Sequence, residues 1–377
     1  MSKSGDDKAV ISFHFFAAKR SLIFAVTLLL ILGITTLPSH VAAAASSTQT
    51  ASNPSVTTTM SPKDNALTGG MVSSVESSSG NVTVLASGQS FAEPIYVYNG
   101  YVYWYNFGNG KLNRVSEQGG KVDTLFTVGS SLEDLYGLVV QGNYVYWTLS
   151  EGGCCGYVER TEISTRDTTT LYSSGEFAVF GITVDKSSVF FVMDDSIVKM
   201  SLTGQNPTII AYAPSHYVWQ LTYSSGYVYW YDLCTGQIGK VTPSGGDLTL
   251  LSPALADCVT EVFTGIRPFD VVGTKIYWTF NFFDSNIGAY NNSVDTVSTS
   301  GRGFQMLNST SSDIYGGVSY YNGNVIFVDH RSHSLDAIPP TGGTPTEIVS
   351  GYKFIDCSVL NTQIYASAET DILRINA

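Results

Sequence analysis

The stretch Gly226-Tyr-Val-Tyr-Trp230 constrains this chain more than any other, because it recurs. Close copies stand at Gly100–Trp104, Asn143–Trp147 and Thr274–Trp278. Weaker ones stand at Ser188–Phe191, Asn324–Phe327 and Gln363–Ala366. Taking Trp104, Trp147, Phe191, Trp230, Trp278, Phe327 and Ala366 as equivalent, the steps are 43, 44, 39, 48, 49 and 39 residues. Self-similarity at a period of roughly 20–50 residues means stacked copies of one small unit, none of which can bury its apolar faces alone.

Each copy is rich in Val, Tyr and Trp, which suit a pleated, half-buried surface, and follows a Gly, Ser or Asn turn. It reads as a strand entered from a tight turn. A second apolar run follows, as in Leu112–Val115, Val198–Leu202 and Ile238–Val241. Next comes a Gly-rich turn: Gly119-Gly120, Gly245-Gly246, Gly342-Gly343 or the looser Gly301-Arg-Gly303. A third run follows at Val122–Phe126, Leu248–Leu251 and Thr346–Val349, and a further run precedes each copy, as in Leu135–Val140 and Val218–Tyr223. Four short strands per unit of about 40–45 residues describe an all-β propeller of four-stranded antiparallel blades. Seven copies give seven blades; six is the count if the poorest copy, around Tyr365, is something else. The aromatic residues recur in every unit at one register, as packing between blades requires, so they are read as filling and not as a binding row.

The run Asn81–Leu85 matches an outermost strand, whereas the chain ends on Ile364–Ser367 and Ile372–Ile375 with no outer strand of its own. The N-terminal strand is therefore expected to complete the last blade and close the ring, which removes exposed edges.

Residues 1–20 carry Lys3, Lys8, Lys19 and Arg20; the uncharged Ser21–Leu37 and the run Val41-Ala-Ala-Ala-Ala45 follow. A basic start, an apolar middle and an Ala-x-Ala end describe a secretory signal over 1–45, either cleaved or kept as a membrane anchor. Ser46–Gly70, rich in Ser and Thr, reads as a flexible stalk, and 71–377 as the propeller. The chain is then secreted or held on the outer face of the cytoplasmic membrane, touching membrane only through its N-terminal segment.

Charged residues are 13% of the chain, and removing 1–45 leaves a net charge of −14. A charge-poor acidic surface argues against nucleic acid, which needs clustered Lys and Arg. Asn81, Asn291 and Asn308 each begin an Asn-x-Ser/Thr sequon. Of five cysteines, Cys234 and Cys258 lie in loops that open on one face and are the disulfide candidates; Cys154-Cys155 are adjacent, and Cys357 reads as a buried thiol.

Blade geometry puts the long insertions, Ser150–Gly156, Ser252–Arg267 and Phe280–Asn292, on one face and leaves the other with tight Gly turns. Loops on a rigid scaffold are where binding concentrates. Phe263, Phe280, Phe282, Phe283, Asp284 and Tyr290, beside Asp257 and Glu261, form a candidate patch for a glycan or a protein; alternatively the rings tuck under their own loops. The second candidate is the central channel. Its inner strands often read aromatic-then-Gly (Tyr136-Gly137, Phe180-Gly181, Tyr315-Gly316), and Trp219-Gln220, Phe269-Asp270 and Ile355-Asp356 depart from that. In one register, Gln220, Asp270 and Asp356 would converge and could hold Ca²⁺; the alternative is a solvated polar channel. No Gly-x-Ser-x-Gly and no His-Glu-x-x-His occurs, and His330-Arg-Ser-His333 reads as a solvated turn.

Tyr229-Trp230-Tyr231-Asp232, Tyr103-Trp104-Tyr105-Asn106 and Tyr277-Trp278-Thr279 resemble the Tyr-Trp-Thr-Asp repeat of low-density-lipoprotein-receptor-type propellers, and the wider unit is similar to related uncharacterised secreted prokaryotic propellers. Those receptor repeats form six blades, and the Asp stands only in the fourth copy here. The resemblance implies a protein-binding or recognition module without catalysis; the chain as a whole is read as a monomeric binding or scaffold module that meets an extracellular or envelope protein or glycan. The reading set against it is a metal-dependent hydrolase or lyase with a cation in the channel.

Overall fold

The computed structural model describes residues 82–376 except 129–132, 152–153, 214–217, 247, 257–260, 263–268, 285–288 and 311–314; residues 133–134, 154, 261–262, 282–284, 289–290 and 315 are described by backbone alone. The export segment, the stalk and the expected start of order at Met71 lie outside these residues.

Seven antiparallel sheets form, and no helix occurs among the described residues. Blade one is typical: an inner strand Ala92–Tyr98, the aromatic strand Tyr101–Asn106, a third strand Lys111–Ser116 and an outer strand Asp123–Thr127. The inner strands, Ala92–Tyr98, Glu133–Gln141, Val179–Val184, Val218–Ser224, Phe269–Val272, Tyr315–Tyr321 and Phe354–Leu360, touch in sequence, and the last touches the first. Blade seven is completed by Val82–Ser87, which pairs with Asp371–Ile375 from Val82↔Ile375 onward. Ring closure is as the spare N-terminal strand implies, and the copy at Ala366 is a full blade.

Each seam between blades holds its own apolar cluster. The aromatic strand turns its Trp-position residue to the preceding blade: Trp147 packs on Tyr103, Tyr105 and Leu112, Trp230 on Phe190 and Val192, and Trp278 on Tyr229 and Tyr231. Phe191, Phe327 and Ala366 do the same in the weaker copies. All seven positions have zero exposure, so the repeated aromatics are interblade filling. The Gly turns between third and outer strands start in the left-handed region, at φ +79° for both Gly119 and Gly245, where a Cβ is strained.

A second repeated feature has no counterpart in the expectations above. The third-strand residue directly opposite the second aromatic is basic in five blades: Arg114, Arg160, Lys199, Lys240 and Arg374. Arg114, Arg160 and Lys240 lie 4.3–4.4 Å over the rings of Tyr101, Tyr144 and Tyr227. Three then reach a main-chain carbonyl at the equivalent turn of the next blade: Arg160 to Leu202 (3.0 Å), Lys240 to Thr299 (2.7 Å) and Arg374 to Glu117 (2.7 Å). For Arg160 and Lys240 the ring and the carbonyl together hold the cation at the edge of the seam.

The inner strands also share a β-bulge. In blades one, two, three, four, six and seven the pairing slips by one residue near the strand start, as between Val218/Gln220 and Phe354/Asp356. A bulge re-aims the residues beside it.

Candidate functional site

The ladder aligns the inner strands directly. Ile95, Leu138, Ile182, Leu221, Phe269, Val318 and Cys357 each oppose the Trp position of their blade. One residue earlier lies a layer of Pro94, Gly137, Gly181, Gln220, Gly317 and Asp356. One residue later lies a layer of Tyr96, Val139, Thr183, Thr222, Asp270, Ser319 and Ser358. Gln220 and Asp356 thus share a layer, while Asp270 stands two residues further along its strand, about 6.6 Å. The single register expected for Gln220, Asp270 and Asp356 is corrected by two residues at Asp270, and the blade-six glycine in register is Gly317, not Gly316. The reason is the count to the Trp position: Gln220 stands ten residues before Trp230 and Asp356 ten before Ala366, but Asp270 stands eight before Trp278.

Glycine in the earlier layer answers to crowding. A Cβ on Gly181 would stand 2.5 Å from the Trp219 carbonyl oxygen and 2.7 Å from Gln220 Cα, both main chain of the next inner strand. A Cβ on Gly317 would overlap Asp356 Oδ1. Asp356 is itself buried and bound to backbone: Ile95 N–H donates to Oδ2 (2.9 Å) and Cys357 N–H to Oδ1 (2.8 Å). It ties blade seven to blade one. Cys357 is buried as expected, and its thiol donates to the Gly317 carbonyl at 3.4 Å.

Gln220 and Asp270 line a common cavity of about 370 Å³ on the axis, with Tyr96, Tyr136, Thr183 and Tyr223 among the other walls. Ser319 Oγ donates to Asp270 Oδ2 at 3.0 Å. At the end where the inner strands start, Tyr136, Phe180 and Trp219 pack on one another at ring separations of 5.1–5.4 Å. Among the described residues, no three His, Cys, Asp or Glu gather as a metal-binding group.

The other candidate face is built differently from a loop patch. In blade five the aromatic and third strands are ten residues each, Lys275–Asp284 and Ala289–Ser298, against six and six in blade one. They stay paired to Asp284↔Ala289, and the short strand Glu261–Val262 adds to the far end at Val262↔Phe282. Most of Phe280–Asn292 is therefore a hairpin that prolongs the blade. Blade two is lengthened likewise, with Tyr144–Glu151 and Cys154–Glu162. Phe280 is buried in the seam with blade four, against Gly236, which takes it out of an exposed patch. Phe282, Phe283, Asp284 and Tyr290 lie in the prolonged ladder, with Phe283 opposite Tyr290; Phe263, Asp257 and Cys258 fall outside the described residues. Cys234 is disulfide-bonded.

The Asp of the fourth copy also has a plain role. Asp232 Oδ1 accepts from Cys234 and Thr235 N–H (both 3.0 Å), capping the turn that follows. Asp329 does the same for Arg331 (2.9 Å) and Ser332 (3.1 Å) at the equivalent place in blade six, so the Asp is not confined to the fourth copy as expected. That turn is less solvated than expected. His330 is half-buried beside Gly316, and burial lowers its pKa to about 4.

No protein-family model and no curated protein matches the sequence. Solved structures do. Virginiamycin B lyase from Staphylococcus aureus is similar over 78% of this chain and 98% of its own, with TM-score 0.57 and 13% identity. YCF48 bound to D1 peptide is similar over 78% and 94%, with TM-score 0.53 and 11% identity. A chain of the nidogen/laminin complex is similar over 63% and 88%, with TM-score 0.46 and 14% identity. At these identities the likeness to the lyase and to YCF48 is one of fold.

Proposed function

We propose that this chain is a non-catalytic recognition module, held outside the cytoplasm, that meets a protein or a glycan through the face on which blades two and five are prolonged. The observation that carries the reading is the ten-residue hairpin of blade five. The pairs beyond the usual blade length extend it by about 13 Å at ~3.3 Å per residue. Lengthening these two strands in blades two and five beyond the six residues of blade one is an addition that closing the ring does not require. A protein partner is also in keeping with YCF48, a propeller of similar fold seen with a peptide bound.

The test shortens the hairpin without touching the blade. Asn281 and Asn292 are directly opposite, so residues 282–291 can be replaced by Asn-Gly, a two-residue turn suited to that register. The immobilised parent and the variant are offered surface glycans and solubilised envelope proteins. The expected result is capture by the parent, loss of capture by the variant, and melting temperatures within a few degrees of each other. Capture that survives the replacement sinks the assignment to this face.

A further inference from the structure

The axial cavity carries chemistry that the recognition face does not use. Gln220 stands where blades two, three and six carry glycine, and Asp270 stands in a layer that is otherwise apolar, aromatic or hydroxylic. The matching departure at Asp356 is accounted for by its two backbone hydrogen bonds. Gln220 and Asp270 are not accounted for in that way. Gln220 Oε1 is buried without a donor among the described residues, as is Oε1 of Gln141 on the same wall. Asp270 accepts Ser319 Oγ on Oδ2, and its Oδ1 receives no donor from the described residues.

Three properties of the wall define a guest. Among the described residues, Asp270 is the one acidic side chain lining the cavity, and no Lys, Arg or His lines it. Tyr96, Tyr136 and Tyr223 are among the described residues that line it, the Tyr136 ring resting on Phe180 and Trp219 and the Tyr223 ring on Phe190. The space, about 370 Å³, holds an organic molecule and not merely a bare ion. A negative charge in a recess of reduced dielectric attracts a cation. Ring faces favour a large, weakly hydrated cation over a small, strongly hydrated one. A calcium ion asks for six to eight oxygens, whereas the described residues of the cavity offer a single carboxylate.

We propose that this cavity is a binding site for a small organic ammonium ion, with Asp270 as the counter-charge, Tyr96, Tyr136 and Tyr223 as the ring wall, and Gln220 as a polar contact. The site is separate from the prolonged hairpins and does not depend on their having a partner.

The experiment is a calorimetric titration of the purified full chain with choline chloride, with its uncharged carbon isostere 3,3-dimethylbutan-1-ol, and with calcium chloride. Choline is expected to fill one site at least about tenfold more tightly than the alcohol. Asp270→Asn, which can still accept from Ser319, is expected to weaken choline by about tenfold and leave the alcohol unchanged. If that variant does not fold, Tyr96→Leu serves instead: it keeps the charge, removes a ring and should weaken choline alone. The proposal is overturned if choline binds no more tightly than the alcohol. It is overturned equally if neither substitution affects choline, or if calcium alone saturates an Asp270-dependent site.

Discussion

Replacing Asp295 by asparagine should stabilise the propeller at neutral pH and do nothing for it in acid. Asp295 lies fully buried on the third strand of blade five, directly opposite Trp278, in the seam with blade four. Ser293 Oγ donates to its Oδ2 at 2.6 Å, while Oδ1 is buried without a donor among the described residues. Tyr231 faces it from blade four, and its hydroxyl is pushed well up by burial, with Asp232 and Asp295 adding to the rise. Burial raises the Asp295 carboxyl from 3.8 to about 7, against a smaller lowering by Ser293. Below about pH 4 the group is protonated in both folded and unfolded chains, and no stability is lost. Between 4 and 7 the unfolded chain ionises and the folded one does not, so stability falls as pH rises; above 7 the loss is complete. At ~1.36 kcal/mol per pH unit the full loss is about 4 kcal/mol. His330, lowered to about 4 by burial, runs the other way and loses stability as pH falls from 6.5 through 4. The parent's own pH profile mixes the two, so only the difference between variant and parent isolates Asp295. Melting temperatures of both chains at pH 4.5, 5.5, 6.5 and 7.5 give that difference. It should grow from near zero to on the order of 8 °C, at ~2 °C per kcal/mol for a chain of this size. A gap that stays constant across the four values would refute the reasoning.

Two further outcomes follow from the ring. Gly181→Ala should destabilise by about 1–3 kcal/mol in thermal melts, because the atoms its Cβ would meet are main chain of the next inner strand and cannot rotate away. Deleting Val82–Ser87 should leave blade seven three-stranded with an open edge at Asp371–Ile375, seen as concentration-dependent aggregation in light scattering; a monodisperse deletion would contradict the closure.

The fold was legible because its signal is chemical: residues that fill a seam must be aromatic, and they must return once per blade. The axis was harder to read. Matching on an aromatic-then-polar pair put Asp270 two residues out of its layer; the signal that separates it is the count to the Trp position, eight residues from Asp270 to Trp278 against ten from Gln220 to Trp230. Phe280–Asn292 reads as a loop because Asn and Asp are poor strand formers, yet pairing continues to Asp284↔Ala289. The basic residues opposite the aromatic strand left a usable signal. Arg114, Arg160, Lys199, Lys240 and Arg374 fall into one column once the third strands are aligned on the ladder.

Those cations bear on how such a ring can change over time. Arg160, Lys240 and Arg374 each reach a main-chain carbonyl of the next blade, a group every residue supplies, and Arg374 alone of the three adds a side chain, Gln118, at 3.3 Å. A bridge between two side chains would need both partners to be copied together whenever a unit is duplicated, moved or lost. A contact from side chain to backbone asks nothing of the neighbour's sequence beyond a turn in the right place. Blades held in this way are interchangeable parts, free to diverge until little but the seam residues remains alike.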